Sequence, residues 1–419
     1  MKRILFLLAL LTFSPLRVLA QSWTTVTANN VLNYGADPTG TNDSYTAIMN
    51  ASSAAGCGRV FFPNGYYMVS AGGLTKPRCQ IWEGESQRGN TPTNGVMIIA
   101  SQHTAPLIAI GDNVGTNTHV TGGLENITLT ATGTTQGVGL WLGGDPAGKV
   151  FPSADFGNEQ TLNNVDIFNF SVGIEVANGA FSNICVNCHV HTNTTGILSP
   201  SSASPQEAND FVGGEIAGNF ADGLEDDNGS EFHFETTHLD YNGLAIGGSK
   251  IFVSMTDSWL EQSSGPMVTI ATNGTFIDKG SHWLYGASSG SDTSFINVTA
   301  TTFTQVSVYG SQFGSSHTVS YVVHWAGTNG TALSLSLFGP NIMYAYGIIG
   351  DTDASASAVG ITDIPASGGA TGRLAGPLSL LGGGNVVYRC VTAGNDRAGA
   401  LTTVSTDCGS AVDTGLRTP

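Results

Sequence analysis

Apolar residues recur along the second half of this chain in a short unit. Two of them stand two positions apart and a third follows five positions later, and the unit returns every 20 to 30 residues. The successive units are Phe232, Phe234 and Leu239; Phe252, Ser254 and Trp259; Phe276, Asp278 and Trp283; Val306, Val308 and Phe313; Leu335, Leu337 and Ile342. Two of these positions, Ser254 and Asp278, are polar, so the pattern is imperfect. Because alternation with a period of two is typical of strands, the pattern predicts a series of short β-strands.

Looser forms of the same unit occupy the preceding part of the chain, at 124–142, 162–176, 181–198 and 209–224. A unit of this length cannot bury its own apolar face, so successive units must stack on one another as a solenoid. Leucine-rich repeats would need far more leucine, and propeller blades would need about 40 residues each. The pattern therefore predicts an all-β fold, the parallel β-helix.

One helix-like stretch lies near the start of the chain. Tyr45, Ile48 and Met49 fall on one face of a helix, and Asp43 stands at the position of an N-cap. An open end of a β-helix exposes strand edges and core side chains, so repeat proteins cover it with a cap. We therefore expect a short N-terminal helix that covers the first coil and takes no part in chemistry.

The same stretch carries a resemblance to a known family. The sequence VLNYGADPTGTNDSYTAIMNA, followed by GCGRVFFPNGYYMVS, resembles the opening of pectate-lyase-superfamily domains. The matching residues are Tyr34, Gly35, Ala36, Gly40, Asp43, Val60, Pro63, Gly65 and Tyr67. The resemblance implies a right-handed parallel β-helix in a secreted or virion-borne carbohydrate-active protein. The activities that it implies are those of polysaccharide lyases, glycoside hydrolases and tailspike-like depolymerases.

Composition divides the chain into four parts. Residues 1–20 have basic residues ahead of an apolar run and a small residue at the end, which predicts a cleaved signal peptide and a secreted protein. The periplasm and the cell surface are also compatible with such a segment. Residues 21–350 are expected to hold the cap and the β-helix, 351–385 a linker or loosely packed strands, and 386–419 a disulfide-closed C-terminal segment.

Charge narrows the class of partner. The chain has a formal net charge of −17, or about −20 without the predicted signal peptide, which holds three basic residues and no acidic ones. Such a surface repels phosphate backbones and anionic lipids, so neither nucleic acid nor a membrane is expected as a partner. A polysaccharide is the expected substrate. The chain is expected to act as a monomer or, by analogy with tailspikes, as a homotrimer.

Six cysteines in a chain with a predicted signal peptide favour disulfide bonds. The expected pairs are Cys57 with Cys79, Cys185 with Cys188, and Cys390 with Cys408. A zinc site is the alternative for the second pair, although a single CxxC motif without another is a weak metal signal.

Aligning the coils on one apolar position brings polar residues into a column. The reference positions are Ile216, Leu239, Trp259, Trp283 and Phe313, and the residues immediately before them are Glu215, His238, Ser258, His282 and Gln312. Asp240 follows its reference residue directly, and one position further on come Tyr241, Glu261 and Tyr285. Equivalent positions on neighbouring coils lie about 4.8 Å apart, so carboxylates, imidazoles and aromatic rings are expected close together on one face.

Such a face has the components of a sugar-binding cleft. Two carboxylates about 5 Å apart suit a retaining glycoside hydrolase, and about 6.5–9.5 Å suits an inverting one. The catalytic candidates on this face are Glu215, His238, Asp240 and Glu261, and the substrate-binding candidates are Tyr241, Trp259, His282 and Tyr285. The alternative is structural: polar residues line up because every coil turns at the same place, and hydrogen bonds between coils satisfy them.

A second acidic group lies in the stretch ADGLEDDNG. Asp222, Glu225, Asp226 and Asp227 repel one another, which either raises a pKa for acid catalysis or collects Ca²⁺. The catalytic candidates here are Asp226 and Asp227, and the metal candidates are Asp222, Asp226 and Asp227. Together with Asp240 they resemble the three aspartates of polygalacturonase-type enzymes, without that family's flanking motifs. Catalysis requires that this stretch lie against the face bearing Asp240; an exposed acidic loop is the alternative.

Three functions remain open. The first expectation is a glycoside hydrolase that uses paired carboxylates and no cofactor. The alternative is a Ca²⁺-dependent polysaccharide lyase with His238 or Tyr241 as the base, although Lys250 and Lys279 are the only Lys or Arg residues between 160 and 345. The third is a non-catalytic β-helix used for glycan binding or adhesion.

Overall fold

The computed structural model describes residues 29–375 with internal gaps. The gaps are 71, 87–93, 102–104, 112–120, 134–135, 145–155, 263–264, 287–290, 301, 303, 316–317, 326–332, 339–340, 343–344, 352–357 and 363–373. The predicted signal peptide at 1–20, the predicted C-terminal segment at 386–419 and its cysteines Cys390 and Cys408 lie outside the described residues.

The described chain is a stack of coils, each made of three short strands. Three parallel sheets run along the stack, and each contains twelve of the described strands. Every strand pairs in parallel with strands of the same sheet one coil away, as β-strand stacking in a solenoid requires. The right-handed parallel β-helix predicted from the sequence is confirmed.

The strands alternate between the sheets in a fixed order along the chain. The first sheet comprises β1 (Thr39–Asp43), β3 (Gly65–Val69), β6 (Val96–Ala100), β9 (Thr128–Ala131), β12 (Asp166–Phe168), β15 (His189–His191), β18 (Glu215–Ala217), β21 (His238–Asp240), β24 (Trp259–Gln262), β27 (His282–Tyr285), β30 (Gln312–Ser315) and β33 (Asn341–Ile342). The second comprises β4 (Leu74–Pro77), β7 (Ile108–Gly111), β10 (Val138–Leu142), β13 (Val172–Val176), β16 (Thr195–Ser199), β19 (Asp222–Asp226), β22 (Leu244–Gly247), β25 (Val268–Ile270), β28 (Ser291–Val298), β31 (Thr318–Trp325), β34 (Ala345–Asp351) and β36 (Leu374–Ala375). The third comprises β2 (Arg59–Phe62), β5 (Ile81–Gly84), β8 (Gly122–Glu125), β11 (Gln160–Asn163), β14 (Asn183–Val186), β17 (Asn209–Val212), β20 (Glu231–Glu235), β23 (Lys250–Thr256), β26 (Asn273–Lys279), β29 (Thr304–Tyr309), β32 (Leu333–Phe338) and β35 (Ala358–Thr362).

Two of these strands fall within the range predicted as a linker or loosely packed strands. β35 pairs with β32 of the third sheet, and β36 pairs with β34 of the second. The sheets therefore continue past residue 350.

The core is a set of apolar columns inside the coils. In the first sheet the inward column contains Ile167, Val190, Ile216, Leu239, Leu260 and Trp283, each at most 1 % exposed. Burying one such side chain contributes about 1.5–3 kcal/mol to folding, so the stacked columns are the main stabilising element of the solenoid.

Buried polar residues at the turns are satisfied by bonds from coil to coil. The Nδ2 of Asn193 donates to Oδ1 of Asn219 at 3.1 Å, and Asn219 donates in the same way to Asn242 at 2.8 Å. At another turn the backbone N–H of Ser258 donates to Oγ of Ser281 at 3.1 Å. Ser258 is 1 % exposed, so the prediction that it belongs to the outward column is wrong.

A short helix covers the N-terminal end, as predicted. A 3₁₀ helix at Val31–Tyr34 precedes α1 at Tyr45–Ala55. Ile48 is fully buried, while Tyr45 and Met49 pack against the core. The N-cap is Ser44 instead of Asp43, although Oδ1 of Asp43 accepts the backbone N–H of Tyr45 at 3.0 Å. None of the described helices is long and apolar enough to cross a membrane.

Both disulfides predicted within the described residues are formed. Cys57 bonds to Cys79, and Cys185 bonds to Cys188. The zinc alternative for the second pair is therefore wrong, since a disulfide leaves no thiolate to bind metal.

Candidate active site

The first sheet presents two columns of side chains to solvent. In its three-residue strands the middle residue points into the core, so the residues on either side point outward. One outward column contains, in coil order, Asp166, His189, Glu215, His238, Trp259, His282 and Gln312. The other contains Phe168, His191, Ala217, Asp240, Glu261 and Leu284. The coil stack thus builds one polar and aromatic face from strands far apart in sequence.

A groove of about 770 Å³ runs over this face. The side chains that line it include Asp166, Phe168, His189, His191, Glu215 and Tyr241. Pockets for small ligands are mostly apolar, whereas this groove combines two carboxylates and two imidazoles with apolar and neutral polar residues. A mixed polar and apolar groove on a solenoid face suits an extended polar chain.

Three carboxylates come together on this face: Glu215 lines the groove, whereas Asp240 and Glu261 follow on the next two coils and are not among its lining residues. Asp240 pairs in register with Ala217 on one side and with Glu261 on the other, and Glu215 pairs with His238. Asp240 and Glu261 are therefore one coil apart, about 4.8 Å between backbones. Glu215 approaches Asp240 diagonally from the preceding coil. The prediction that these three residues share one face agrees with this geometry.

Asp240 is the most enclosed of the three. Its side chain is 14 % exposed, and its Oδ2 lies 3.3 Å from Nδ1 of His238. Its Oδ1 is buried and has no hydrogen-bond partner. Burial raises the pKa of Asp240 to about 6; the neighbouring His238 opposes this rise, while the charges of Glu215 and Glu261 add to it. A carboxyl group in this environment keeps its proton to a higher pH than an ordinary aspartate and can donate it in weakly acidic solution.

Glu261 has the opposite environment. The hydroxyl of Tyr241 donates to its Oε1, and the indole Nε1 of Trp259 donates to its Oε2 at 3.4 Å. A donor on each oxygen fixes the rotation of the carboxyl group. The site therefore pairs an enclosed carboxyl group, Asp240, with one that two donors orient, Glu261.

The coil that contains Trp259 has a different register from the one predicted. Leu260 fills the core and is fully buried, so Trp259 stands in the outward column. Its ring stacks between His238, with centroids 6.2 Å apart, and His282, with centroids 5.2 Å apart. Because histidine rings cover both faces of the Trp259 ring, mainly the edges of that ring are accessible to a ligand. This arrangement argues against the predicted stacking of a sugar on Trp259.

Tyr285 was predicted on the substrate-binding face, and this prediction is wrong. The side chain is fully buried. Its ring packs on Phe295 with centroids 4.7 Å apart, and its hydroxyl donates to the carbonyl oxygens of Gly265 and, at 2.9 Å, Ser294. Tyr285 follows Leu284, which occupies the outward column, so strand alternation directs it inward.

The acidic stretch does not join the groove. Asp222–Asp226 forms β19 of the second sheet, whereas Asp240 belongs to the first sheet. Among the described residues there is no group of three or more His, Cys, Asp or Glu side chains that could hold a metal ion. The Ca²⁺ site predicted at Asp222, Asp226 and Asp227 is therefore wrong, and so is the grouping of Asp226 and Asp227 with Asp240.

Asp226 is a structural residue. It is fully buried, and its Oδ1 accepts the backbone N–H groups of Gly229 at 3.0 Å and Ser230 at 3.1 Å. Its Oδ2 accepts the N–H of Phe252 on the next coil at 3.1 Å. Burial raises the pKa of Asp226 to about 7, against the lowering effect of these bonds. The carboxyl group therefore braces a turn and has no access to a substrate.

Asp227 has a similar role at the surface. Its Oδ1 accepts both the backbone N–H of Ser249 at 2.9 Å and the hydroxyl of that residue at 2.8 Å. It thus joins two coils of the second sheet.

Sequence reasoning missed the other end of the groove. Nε2 of His191 lies 3.0 Å from Oδ1 of Asp166, and its ring stacks on Phe168 with centroids 5.0 Å apart. Extending the column alignment to Ile167 and Val190 would have found these residues, because both occupy the buried middle position of their strands.

The fold and the groove define a right-handed parallel β-helix protein with a carboxylate-lined face. A comparison with protein-family models gave no match, and a comparison with curated protein sequences gave none either. Solved structures do match. The DFA-IIIase of Arthrobacter chlorophenolicus A6 has a TM-score of 0.56 and 11 % identity, over 79 % of this chain and 93 % of that one.

Two viral proteins are also similar in fold. ORF18 of Geobacillus virus E2 has a TM-score of 0.50 and 12 % identity, over 75 % of this chain and 61 % of the viral one. The enzymatically active domain of tailspike protein 4 from bacteriophage CBA120 has a TM-score of 0.50 and 13 % identity, over 78 % of this chain and 42 % of that one. This chain thus spans less than two thirds of either viral chain. At such identities the likeness concerns the fold alone.

Proposed function

We propose that this protein is a secreted glycoside hydrolase that cleaves a polysaccharide bound along the groove of the first sheet. The observation that carries the proposal is the approach of Glu215, Asp240 and Glu261 on three successive coils, with Asp240 shielded from water. Two carboxyl groups in different environments are what hydrolysis of a glycosidic bond needs. The fold similarity to a DFA-IIIase and to a tailspike's enzymatically active domain is consistent with chemistry on such a face.

Asp240 is the acid in this proposal, and Glu261 is the nucleophile. Asp240 gives its proton to the glycosidic oxygen as the bond from that oxygen to the anomeric carbon breaks. Glu261 adds to the anomeric carbon and forms a glycosyl ester. Asp240, now a carboxylate, takes a proton from water, and the resulting hydroxide cleaves the ester and releases Glu261. One coil of separation, about 4.8 Å, suits this retaining reaction, which uses carboxyl groups about 5 Å apart.

The substrate in this proposal carries no negative charge. The described part of the first sheet has carboxylates on its outward face and no Lys or Arg. Lys250 and Lys279 belong to the third sheet. A lyase that acts on uronic acids needs a positive group to neutralise the substrate carboxylate. The face favours hydrolysis of an uncharged glycan over elimination from an acidic one.

The test is digestion of a panel of neutral and uronic-acid polysaccharides by the purified protein, with and without EDTA. New reducing ends without unsaturated product, unaffected by EDTA and lost in Asp240→Asn and Glu261→Gln, are expected. Ultraviolet absorbance of an unsaturated product that EDTA abolishes would instead establish the lyase. Glycan binding without any cleavage would establish the adhesion function. Asp227→Asn is the matched control, since that aspartate is bound to Ser249 outside the groove.

A further inference from the structure

Tyr241 has a backbone conformation that bulky residues rarely adopt. Its φ is +53°, in the left-handed region, where the β-carbon crowds the backbone. The equivalent turn positions on the three preceding coils are Asn169, Thr192 and Gly218, with φ of 68°, 57° and 60°. Their equivalence follows from the backbone bonds, because each N–H donates to the chain one coil later: Gly218 to Asp240 and Tyr241 to Glu261.

The turn therefore fixes the backbone conformation, whatever residue stands there. Asn and Gly adopt the left-handed region at low cost, whereas Tyr241, like Thr192 two coils earlier, is strained there. Strain of this kind is retained where a side chain is needed at that point. The function of Tyr241 must then be sought in what its side chain contacts.

The contact is with Glu261. The Tyr241 side chain lines the groove, the residue is 52 % exposed, and its hydroxyl donates to Oε1 of Glu261. The second oxygen of Glu261 accepts from Nε1 of Trp259. A donor on each oxygen fixes the rotation of the carboxylate.

We propose that Tyr241 is a positioning residue, held by a strained turn so that its hydroxyl keeps Glu261 oriented toward the substrate. This inference rests on the proposed function, in which Glu261 is the nucleophile. It assigns to Tyr241 more than the substrate contact expected from the sequence. A contact with substrate would use the ring, whereas positioning uses the hydroxyl.

The test is the variant Tyr241→Phe, which keeps the ring and removes the hydroxyl. We expect kcat to fall about tenfold or more, as for loss of a hydrogen bond to a charged group, with KM changed less than about twofold because the ring remains. The split between kcat and KM separates this role from a contact of the ring with substrate, which would change KM. The other groups that face Glu261 are Asp240 and the indole of Trp259, and neither is altered.

Two variants complete the test. Tyr309→Phe makes the same change on β29 of the third sheet and should leave kcat and the pH profile unchanged. Tyr241→Asn restores the residue type of Asn169, so it should lose activity like Tyr241→Phe while its thermal unfolding temperature stays equal or rises.

The possible outcomes distinguish a failure of the role of Tyr241 from a failure of the proposed glycoside hydrolase activity. Wild-type kinetics in Tyr241→Phe would overturn the positioning role, and so would a change in KM alone. Clear destabilisation of Tyr241→Asn would overturn it too, because the ring would then be a packing residue. A wild-type protein that cleaves no glycan would overturn the proposed function itself.

Discussion

Two acidic regions of this protein differ in how the fold arranges their carboxyl groups. In the stretch Asp222–Asp227, four acids fall within six residues, yet β19 of the second sheet carries the first three of them away from the groove and buries Asp226 completely. On the outward face of the first sheet, Glu215, Asp240 and Glu261 belong to three different strands, and the stacking of coils brings them together.

The difference comes from the geometry of the β-helix. Along a strand, neighbouring side chains point to opposite faces, so a dense run of acids is divided between core and surface. Across strands, residues in register lie about 4.8 Å apart. In a solenoid of this kind, a run of acids in sequence does not by itself make a site, whereas residues in register on successive coils can.

Replacing an acid in each region gives the largest contrast. Asp240→Asn should lower kcat about 10²–10⁴-fold, as expected for loss of a general acid. Asp227→Asn should stay within about twofold of wild type, because that residue only joins two coils. Initial rates of reducing-end release check both variants. Equal losses in the two would contradict the assignment of the groove as the site.

For stability the larger effect is expected in the acidic stretch and the smaller one at the candidate site. Asp226→Ala removes the acceptor of several buried N–H groups, among them those of Ser230 and Phe252. At about 1–3 kcal/mol for each unsatisfied group, we expect a loss of at least about 3 kcal/mol in the free energy of unfolding. Asp240→Asn should change it by less than about 1 kcal/mol. Denaturant titration measures both, and an Asp226→Ala protein as stable as wild type would contradict the bracing role.

Burial also makes this loss depend on pH. The pKa of Asp226 in the folded protein is about 7, above its ordinary value of 3.8. The group therefore contributes stability below about pH 4 that is lost as the pH rises to about 7. The free energy of unfolding of wild type should therefore exceed that of Asp226→Ala by an amount that becomes smaller as the pH rises from about 4 to about 7. A difference that grows with rising pH would show instead that the buried group is ionised when folded.

The sequence predicted the parts of the fold that repeat. Apolar positions at a period of two predicted the coils, and the column through Leu239 correctly grouped Glu215, His238, Asp240 and Glu261 on one face. These predictions succeeded because a solenoid copies one local environment in every coil.

The failures arose where a coil departs from its repeat. In the stretch Ser258–Leu260, two adjacent apolar residues could each fill the same core position. The column alignment places Trp259 in the core, but the structure buries Leu260 there. The same one-residue ambiguity placed Tyr285 outside when it is inside, because a shift of one position reverses every side chain of a strand. Contacts between coils, such as that of His191 with Asp166, cannot be predicted until the pairing register of the two strands is known.

A smaller effect is expected on the pH dependence of activity, because charged neighbours change the pKa of Asp240. The charges of Glu215 and Glu261 help to raise the pKa of Asp240 to about 6, and His238 opposes them. Because Asp240 acts in its protonated form, activity should fall as the pH rises through about 6. Glu215→Gln removes one negative charge and should move this basic limb to lower pH, by less than about one unit. His238→Asn should move it to higher pH.

Matching shifts of the basic limb in opposite directions would sharpen the case for Asp240 as the acid. The pH dependence of kcat/KM measures them. An unmoved limb in both variants would mean that the titrating acid lies elsewhere, and Asp227→Asn is again the control.

The smallest effect concerns Trp259, whose indole N–H reaches Glu261 across 3.4 Å while its faces meet two histidines. Trp259→Phe keeps an aromatic ring in the stack and removes the donor. The long, neutral bond leads us to expect a loss of about two- to tenfold in kcat, with KM unchanged. Trp141→Phe is the matched control, because that indole donates to the carbonyl oxygen of Gly143 on the second sheet. A rise in KM with an unchanged kcat would show that a sugar contacts Trp259 after all, and the acidic face would then owe its affinity to the aromatic column.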